Sequence, residues 1–396
     1  MLARLAYRLV TEISPRLAWK AARLWVYPGL QAVAAWRQRV RRGELFPPFL
    51  LLSLTNACNL RCRGCWVTSA NHRHSLKPDE VDTIIVAGKQ HHCRFFILLG
   101  GEPMIYPHLW DIPARHADCY FQVITNGTLL TDEVADRIRA LGNVSPLVSL
   151  DGWEEQNDRR RGQGVFATAM RGLGRLRQRR VLFGVATTVT SCNLHEVTSA
   201  AYLKCLIDCG AMYLWYYIYR PVGPDPAPQL ALDTRQLVEF RARLLGLRRK
   251  HPIVLIDTYW DADGRAVCPA AWGMGYQIGP GGSVEPCPPL SFACETVHDY
   301  GGDLYQTING SRFLRSFQDF VHARTRGCVI LERPAELAEF LRRFSVRDTS
   351  GRDALAELAS SRPHPSHHLP GAEMPEDFWF YRVLKRHLFF GMGAYG

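Results

Sequence analysis

Cys58, Cys62 and Cys65 stand at i, i+4 and i+7 in the run CNLRCRGC, with Asn59, Leu60, Arg61, Arg63 and Gly64 between them. Three thiols are too many for one disulfide and one short of a tetrahedral metal site. A [4Fe–4S] cluster has four irons, normally all held by Cys thiolates, so three cysteines leave one iron free to chelate an amine and a carboxylate. The spacing alone also admits a zinc knuckle that borrows a fourth ligand, such as Cys93. Further along, the run LLGGEP places Gly100 and Gly101 immediately before Glu102. The glycines let backbone approach a ligand closely, and the carboxylate of Glu102 can pair with an ammonium.

These residues need a scaffold, and the chain from Pro48 to about Asp261 reads as strand, loop, helix, repeated. The spans 49–54, 94–99, 120–124, 147–150, 182–189 and 212–219 are short apolar runs rich in β-branched and aromatic residues, as buried parallel strands are. Helical stretches separate or follow them, among them 78–89, 131–140, 166–177 and 234–250. Alternating βα units imply a parallel sheet, doubly wound or wrapped as a barrel, with ligands at the C-terminal ends of its strands. The cysteine triplet and GGEP both follow strand ends.

The triplet after a first strand, with GGEP after the second, resembles the radical S-adenosylmethionine (radical SAM) superfamily. TNG at Thr125–Gly127, SLDG at Ser149–Gly152, RRRGQGVF around Arg161 and TTVTSCN from Thr187 to Asn193 follow in the family's order. The resemblance covers roughly residues 48–220. It implies an α/β fold, a partial (βα)6 TIM-type barrel of parallel strands. It also implies a [4Fe–4S] cluster on Cys58, Cys62 and Cys65 with S-adenosylmethionine on the open iron. Glu102 would take the cofactor's ammonium and Ser149 and Asp151 its polar atoms. Arg161, or Arg159 or Arg160 in its place, would lie near its carboxylate, and Thr188 would lie near adenine. An electron donor such as a flavodoxin or ferredoxin would drive reductive cleavage to a 5′-deoxyadenosyl radical, which abstracts hydrogen from a substrate. The rival class is a non-catalytic iron–sulfur or zinc protein, which has no use for GGEP or SLDG.

A second cysteine group, Cys268, Cys287, Cys294 and Cys328, includes the run IGPGGSVEPCP. It resembles the hairpin of the twitch and SPASM extensions, in which a cysteine ligates an auxiliary [4Fe–4S] cluster. The full C-x-x-C pattern of SPASM is absent, so the resemblance implies at most one auxiliary cluster, on Cys268, Cys287 and Cys328, with Cys294 as fourth ligand. Cys93, Cys119, Cys192, Cys205 and Cys209 read as core or strand-end residues. The expected domains are a basic amphipathic arm (1–47), the core (48–262), a small Cys-rich extension (263–330) and a helical, aromatic tail (331–396).

Twelve cysteines in 396 residues, with no apolar leader in MLARLAYRLVTEISPR, point to a reducing cytoplasm. Of the net +11, residues 1–43 carry +8, nine Lys or Arg against Glu12 alone. Ser14–Pro15 marks a helix start and Pro28–Gly29 a break. Trp19, Trp25, Trp36 and leucines between the charges favour an anionic membrane surface over nucleic acid as partner, and so a peripheral location on the membrane's inner face. The seven aromatics between Phe378 and Tyr395 must dock, either capping the barrel or lining its cavity. His364, His367 and His368 read as loop composition. The arm and tail together favour a lipid or other apolar substrate, with modification of a peptide as the alternative.

Overall fold

The computed structural model describes residues 1–67 and 73–388. Six strands form on the expected apolar runs: β1 (Leu50–Thr55), β2 (Phe95–Gly100), β3 (Tyr120–Thr125), β4 (Val144–Ser149), β5 (Gly184–Val189) and β6 (Tyr213–Ile218). Almost every residue in them is buried, because helices cover one face and the barrel interior the other. Each pairs in parallel with its neighbour in sequence. Helices 78–90, 132–141 and 165–178 lie within two residues of the expected spans, and Thr234–Lys250 coincides with its expectation.

Three further strands join this sheet, each too short for a periodicity to register. β7 (Val254–Ile256) adds in parallel to β6. β8 (Gln277–Ile278) adds in parallel to the other side of β1, and β9 (Val284–Glu285) turns back on it. The order is therefore β7-β6-β5-β4-β3-β2-β1-β8-β9. Leu51, Ile97, Ile124, Ser149, Ala186 and Trp215, one from each of β1 to β6, line a single cavity, so the sheet curves as a partial barrel. The sheet also runs across the boundary expected at 262/263, and the Cys-rich region contributes strands to it.

The arm is not a detached element. Pro15–Ala21 and Tyr27–Arg41 are joined by a π-helical turn, Ala22–Val26, so helical backbone continues through Pro28–Gly29 where a break was expected. A wide turn just upstream of Pro28 accommodates the missing N–H. Leu5, Ile13, Leu17, Val33 and Trp36 are buried in the main core, and Trp25 stacks on Phe95 and Tyr120. Several of the basic side chains face inward. Arg8 donates to the carbonyls of Ile207, Ala211 and Pro252, Arg39 to those of Phe46 and His91, and Lys20 to that of Leu141. Most of these carbonyls lie at or just beyond the C-terminal ends of barrel helices, where the unpaired carbonyls and the helix dipole attract cations. Much of the arm's charge thus closes the floor of the barrel.

At the other terminus, Trp379–His387 docks on β7 through buried Tyr381 and Lys385. Tyr381 accepts a hydrogen bond from Leu255 N–H, and Lys385 pairs with Asp257. Phe389, Phe390 and Tyr395 of the expected aromatic tail lie outside the described residues. No helix among the described residues is long and apolar enough to cross a membrane.

Candidate functional site

Both main cysteine groups open onto one cavity of about 570 Å³ at the C-terminal ends of the barrel strands. Cys58, Cys62 and Cys65 line one part, and Cys268, Cys287 and Cys328 another. Cys58 is exposed, Cys62 and Cys65 are half-buried. Cys93, the fourth ligand of the zinc reading, is fully buried at the start of β2, the far end of that strand from the loop. It cannot complete a site with the triplet.

The GGE turn carries the cysteine loop. Gly101 N–H donates to Thr55 carbonyl and Glu102 N–H to Ala57 carbonyl, each at 2.8 Å. A Cβ on Gly100 would stand 2.2 Å from the Thr55 oxygen, and one on Gly101 2.2 Å from that of Ala57. The glycines are thus required by the approach of the loop's own backbone. Glu102 itself turns into the protein. Its carboxylate is buried and accepts from Asn126 N–H (2.7 Å), Met104 N–H (3.0 Å) and Thr125 Oγ1 (2.8 Å). Burial raises its pKa and these three donors oppose the shift. Gly100 and Gly101 line the cavity, whereas Glu102 fastens the end of β2 to that of β3.

Asp151 likewise acts from behind the wall. It is 1% exposed, and its Oδ2 accepts from Arg160 Nη1 at 2.6 Å and Arg161 Nε at 2.7 Å. Its Oδ1 accepts from Thr188 N–H at 2.8 Å. Burial alone would raise this carboxyl, but the two guanidiniums overcome it and hold it at about 2. Ser149, Arg160, Arg161 and Thr188 line the cavity, while Arg159 turns outward to Glu155. Burial raises the Cys62 thiol and Arg161 and Arg160 lower it, so the arginine pair favours the thiolate that iron needs. Arg160 Nε is buried without a hydrogen-bond partner among the described residues. An orphaned donor beside the cysteines fits a ligand that brings an acceptor such as a carboxylate.

Three members of the second group reach the cavity and one does not. Cys294 follows the two-residue strand Phe292–Ala293, which pairs with Arg347–Asp348, and its thiol neighbours Glu295 and Arg347 outside the cavity. Burial raises the thiols of Cys268, to about 11, and of Cys287, and neighbouring thiol charge further opposes ionisation of these two. Arg220, at the end of β6, donates its Nε to Cys328 Sγ at 3.2 Å and lies over the Tyr259 ring. Three such thiols with a half-buried cation match the donor chemistry of an iron–sulfur cluster.

Sequence reasoning passed over Arg220 and took His367 for loop composition. Arg220 was legible only as the first charge after the apolar run MYLWYYIY. His367 is buried against Tyr259 and Trp260, lines the cavity and meets Val267 carbonyl at 3.0 Å. Burial and Arg220 depress its pKa to about 3, so it is a neutral wall residue. The rest of the wall, including Phe49, Leu51, Ile97, Trp215 and Tyr217, is apolar or aromatic.

Residues 52–198 match the Radical SAM superfamily. An "AdoMet-dependent heme synthase" of Methanosarcina barkeri is 33% identical over 187 residues, 45% of this chain and 52% of that protein. The "Mycofactocin maturase MftC" of Mycobacterium tuberculosis is 35% identical over 149 residues, 35% of this chain and 37% of that protein. The chain thus spans about half or less of these relatives' lengths. In three dimensions it resembles Streptococcus suis SuiB bound to S-adenosylmethionine, with a TM-score of 0.61 at 14% identity over 74% of this chain and 72% of that one.

Proposed function

This chain belongs to the radical SAM superfamily, and from that premise we propose that it is an enzyme that modifies a peptide within the barrel cavity. Cys58, Cys62 and Cys65 hold a [4Fe–4S] cluster, and Gly100, Gly101, Ser149, Arg160, Arg161 and Thr188 form the berth for S-adenosylmethionine. The chemistry these two groups supply together is reductive cleavage of the cofactor to a 5′-deoxyadenosyl radical, driven by an external donor such as a flavodoxin or ferredoxin. Arg160 and Arg161 are held in place by Asp151 and face the cofactor's carboxylate. Glu102 positions the turn and the Asn126 loop against each other. The apolar barrel wall orients an apolar portion of the substrate and excludes water from the reacting centre. Cys268, Cys287 and Cys328 hold an auxiliary cluster at the other part of the cavity, with Arg220 against one sulfur.

The carrying observation is that both cysteine groups open on one apolar cavity, so a substrate enclosed there lies between them. Streptococcus suis SuiB, a structural neighbour, is bound to a precursor peptide, which favours a peptide over the lipid expected from the arm and tail. The lipid reading keeps one supporting observation, the apolar lining of the cavity. Anaerobic incubation of the reconstituted protein with perdeuterated cell extract, separated into peptide and lipid fractions, decides between them. Deuterium in 5′-deoxyadenosine is expected from the peptide fraction. Deuterium from the lipid fraction alone reverses the assignment, and a Cys58/Cys62/Cys65→Ala variant that still cleaves the cofactor ends the radical reading.

A further inference from the structure

The described residues expose fifteen large hydrophobic side chains, and eight of them, Tyr7, Leu9, Val10, Trp19, Val26, Tyr27, Leu30 and Val40, belong to the arm, about a tenth of the chain. Tyr7 is 69% exposed, Val10 72%, Trp19 67% and Tyr27 62%. Scattered exposed apolar residues are ordinary, but this concentration is not. Its spacing is regular. Trp19, Arg23, Val26, Tyr27 and Leu30 recur three or four residues apart on continuous helix, and Arg4, Tyr7 and Val10 do the same on Leu2–Glu12.

Both helices bury their opposite side on the barrel floor, through Leu5 and Arg8 in one and Leu17, Ala21 and Trp36 in the other. Their apolar stripes therefore face away from the protein. Charge on that side has one sign. Of the arm's two acids, Glu12 is taken up by Arg8 at 2.8 Å and Glu44 accepts from the Tyr305 hydroxyl. Arg4, Arg23, Arg41 and Arg42 are exposed and form no salt bridge among the described residues. The inward basic residues are bound to helix-end carbonyls, so these outward ones are the part of the arm's charge left to meet a partner.

We infer that the outer face of the arm docks the folded enzyme on an anionic lipid bilayer, with Trp19, Tyr27 and Tyr7 entering the headgroup layer and the arginines meeting lipid phosphates. Amphipathic helices with aromatic and aliphatic residues on one side and Arg at its margins lie in the interfacial plane in this way. The carbonyl-capped inner face keeps the arm attached to the barrel while it does so. The inference does not depend on the identity of the substrate.

The test uses full-length reconstituted protein, sedimented with vesicles of phosphatidylcholine alone or of phosphatidylcholine and phosphatidylglycerol. Binding is expected to the anionic vesicles, with a blue shift of tryptophan emission. It should fall as salt rises from 0.1 M to 1 M, where the Debye length contracts from ~10 Å to ~3 Å. Arg4→Gln or Arg23→Gln should each weaken binding about fivefold. The double variant Trp19→Glu/Tyr27→Glu should abolish it while leaving the melting temperature and cluster absorbance unchanged. Absence of binding at low salt, or binding undiminished in the double variant, overturns the inference. So does a concentration-dependent dimer that the double variant dissolves, which would assign this face to a second copy of the chain.

Discussion

Arg220 donates its Nε to Cys328 Sγ at 3.2 Å, inside the cavity that also holds the triplet cysteines. A cationic donor on a cluster sulfur stabilises the more negative, reduced state. Arg220→Gln should therefore leave total iron unchanged and lower the auxiliary cluster's midpoint potential, by roughly 40 mV for ~1 kcal/mol of lost preference. A redox titration followed by electron paramagnetic resonance reads this directly. An unchanged potential would show that Arg220 does not act on that sulfur.

The proposed ligand and bystander cysteines can be told apart by iron analysis. Cys294→Ala should retain about eight irons per chain, because its thiol lies outside the cavity. Cys287→Ala should fall to about four, with the triplet's cluster intact. Equal losses in the two variants would place Cys294 among the ligands after all.

Asp151→Asn tests the arginine berth. Removing one partner of a buried ion pair leaves uncompensated charge, so the variant should lose about 3–5 kcal/mol of stability and bind S-adenosylmethionine more weakly. The native pair also predicts a pH window. The carboxyl is held at about 2, below its ordinary 3.8. Its contribution, about 2 kcal/mol, is complete above pH 3.8 and is lost as pH falls through 2. Denaturant titrations between pH 5 and 2 should show that component in the native chain and not in Asp151→Asn.

Arg8→Met keeps most of the side-chain volume but strips partners from the carbonyls of Ile207, Ala211 and Pro252. Each buried acceptor left unsatisfied costs ~1–3 kcal/mol, so the variant should lose about 3 kcal/mol or more, read as a lower midpoint in urea. Truncation near Pro47 should fail to give soluble folded protein, since it removes Leu5, Leu17 and Trp36 from the core. A stable, cluster-loading truncation would refute the account of the arm as the barrel's floor.

The six long strands were legible because a strand covered on both faces must be apolar throughout, and their C-terminal ends located the motifs. β8 and β9 were not, because two-residue strands leave no pattern. The motif residues were found more readily than their roles. Glu102 and Asp151 stand in the expected places, yet each spends its oxygens on neighbouring protein groups. A carboxylate that holds a loop and one that holds a ligand look identical in a sequence. The arm's charge was read as a membrane signal as a whole, although Arg8, Arg39 and Lys20 serve helix-end carbonyls that no linear pattern reveals.

The docking of Tyr381 on Leu255 bears on aggregation. β7 is an outer strand of the sheet, and an outer strand with free N–H and C=O groups is a template for another chain. The Tyr381 hydroxyl occupies the Leu255 N–H and the Arg248 guanidinium occupies its carbonyl, so side chains take the place that a tenth strand would fill. Losing the helix 379–387 would therefore free a sheet edge for contact between molecules, and misassembly would precede any loss of the cavity's chemistry.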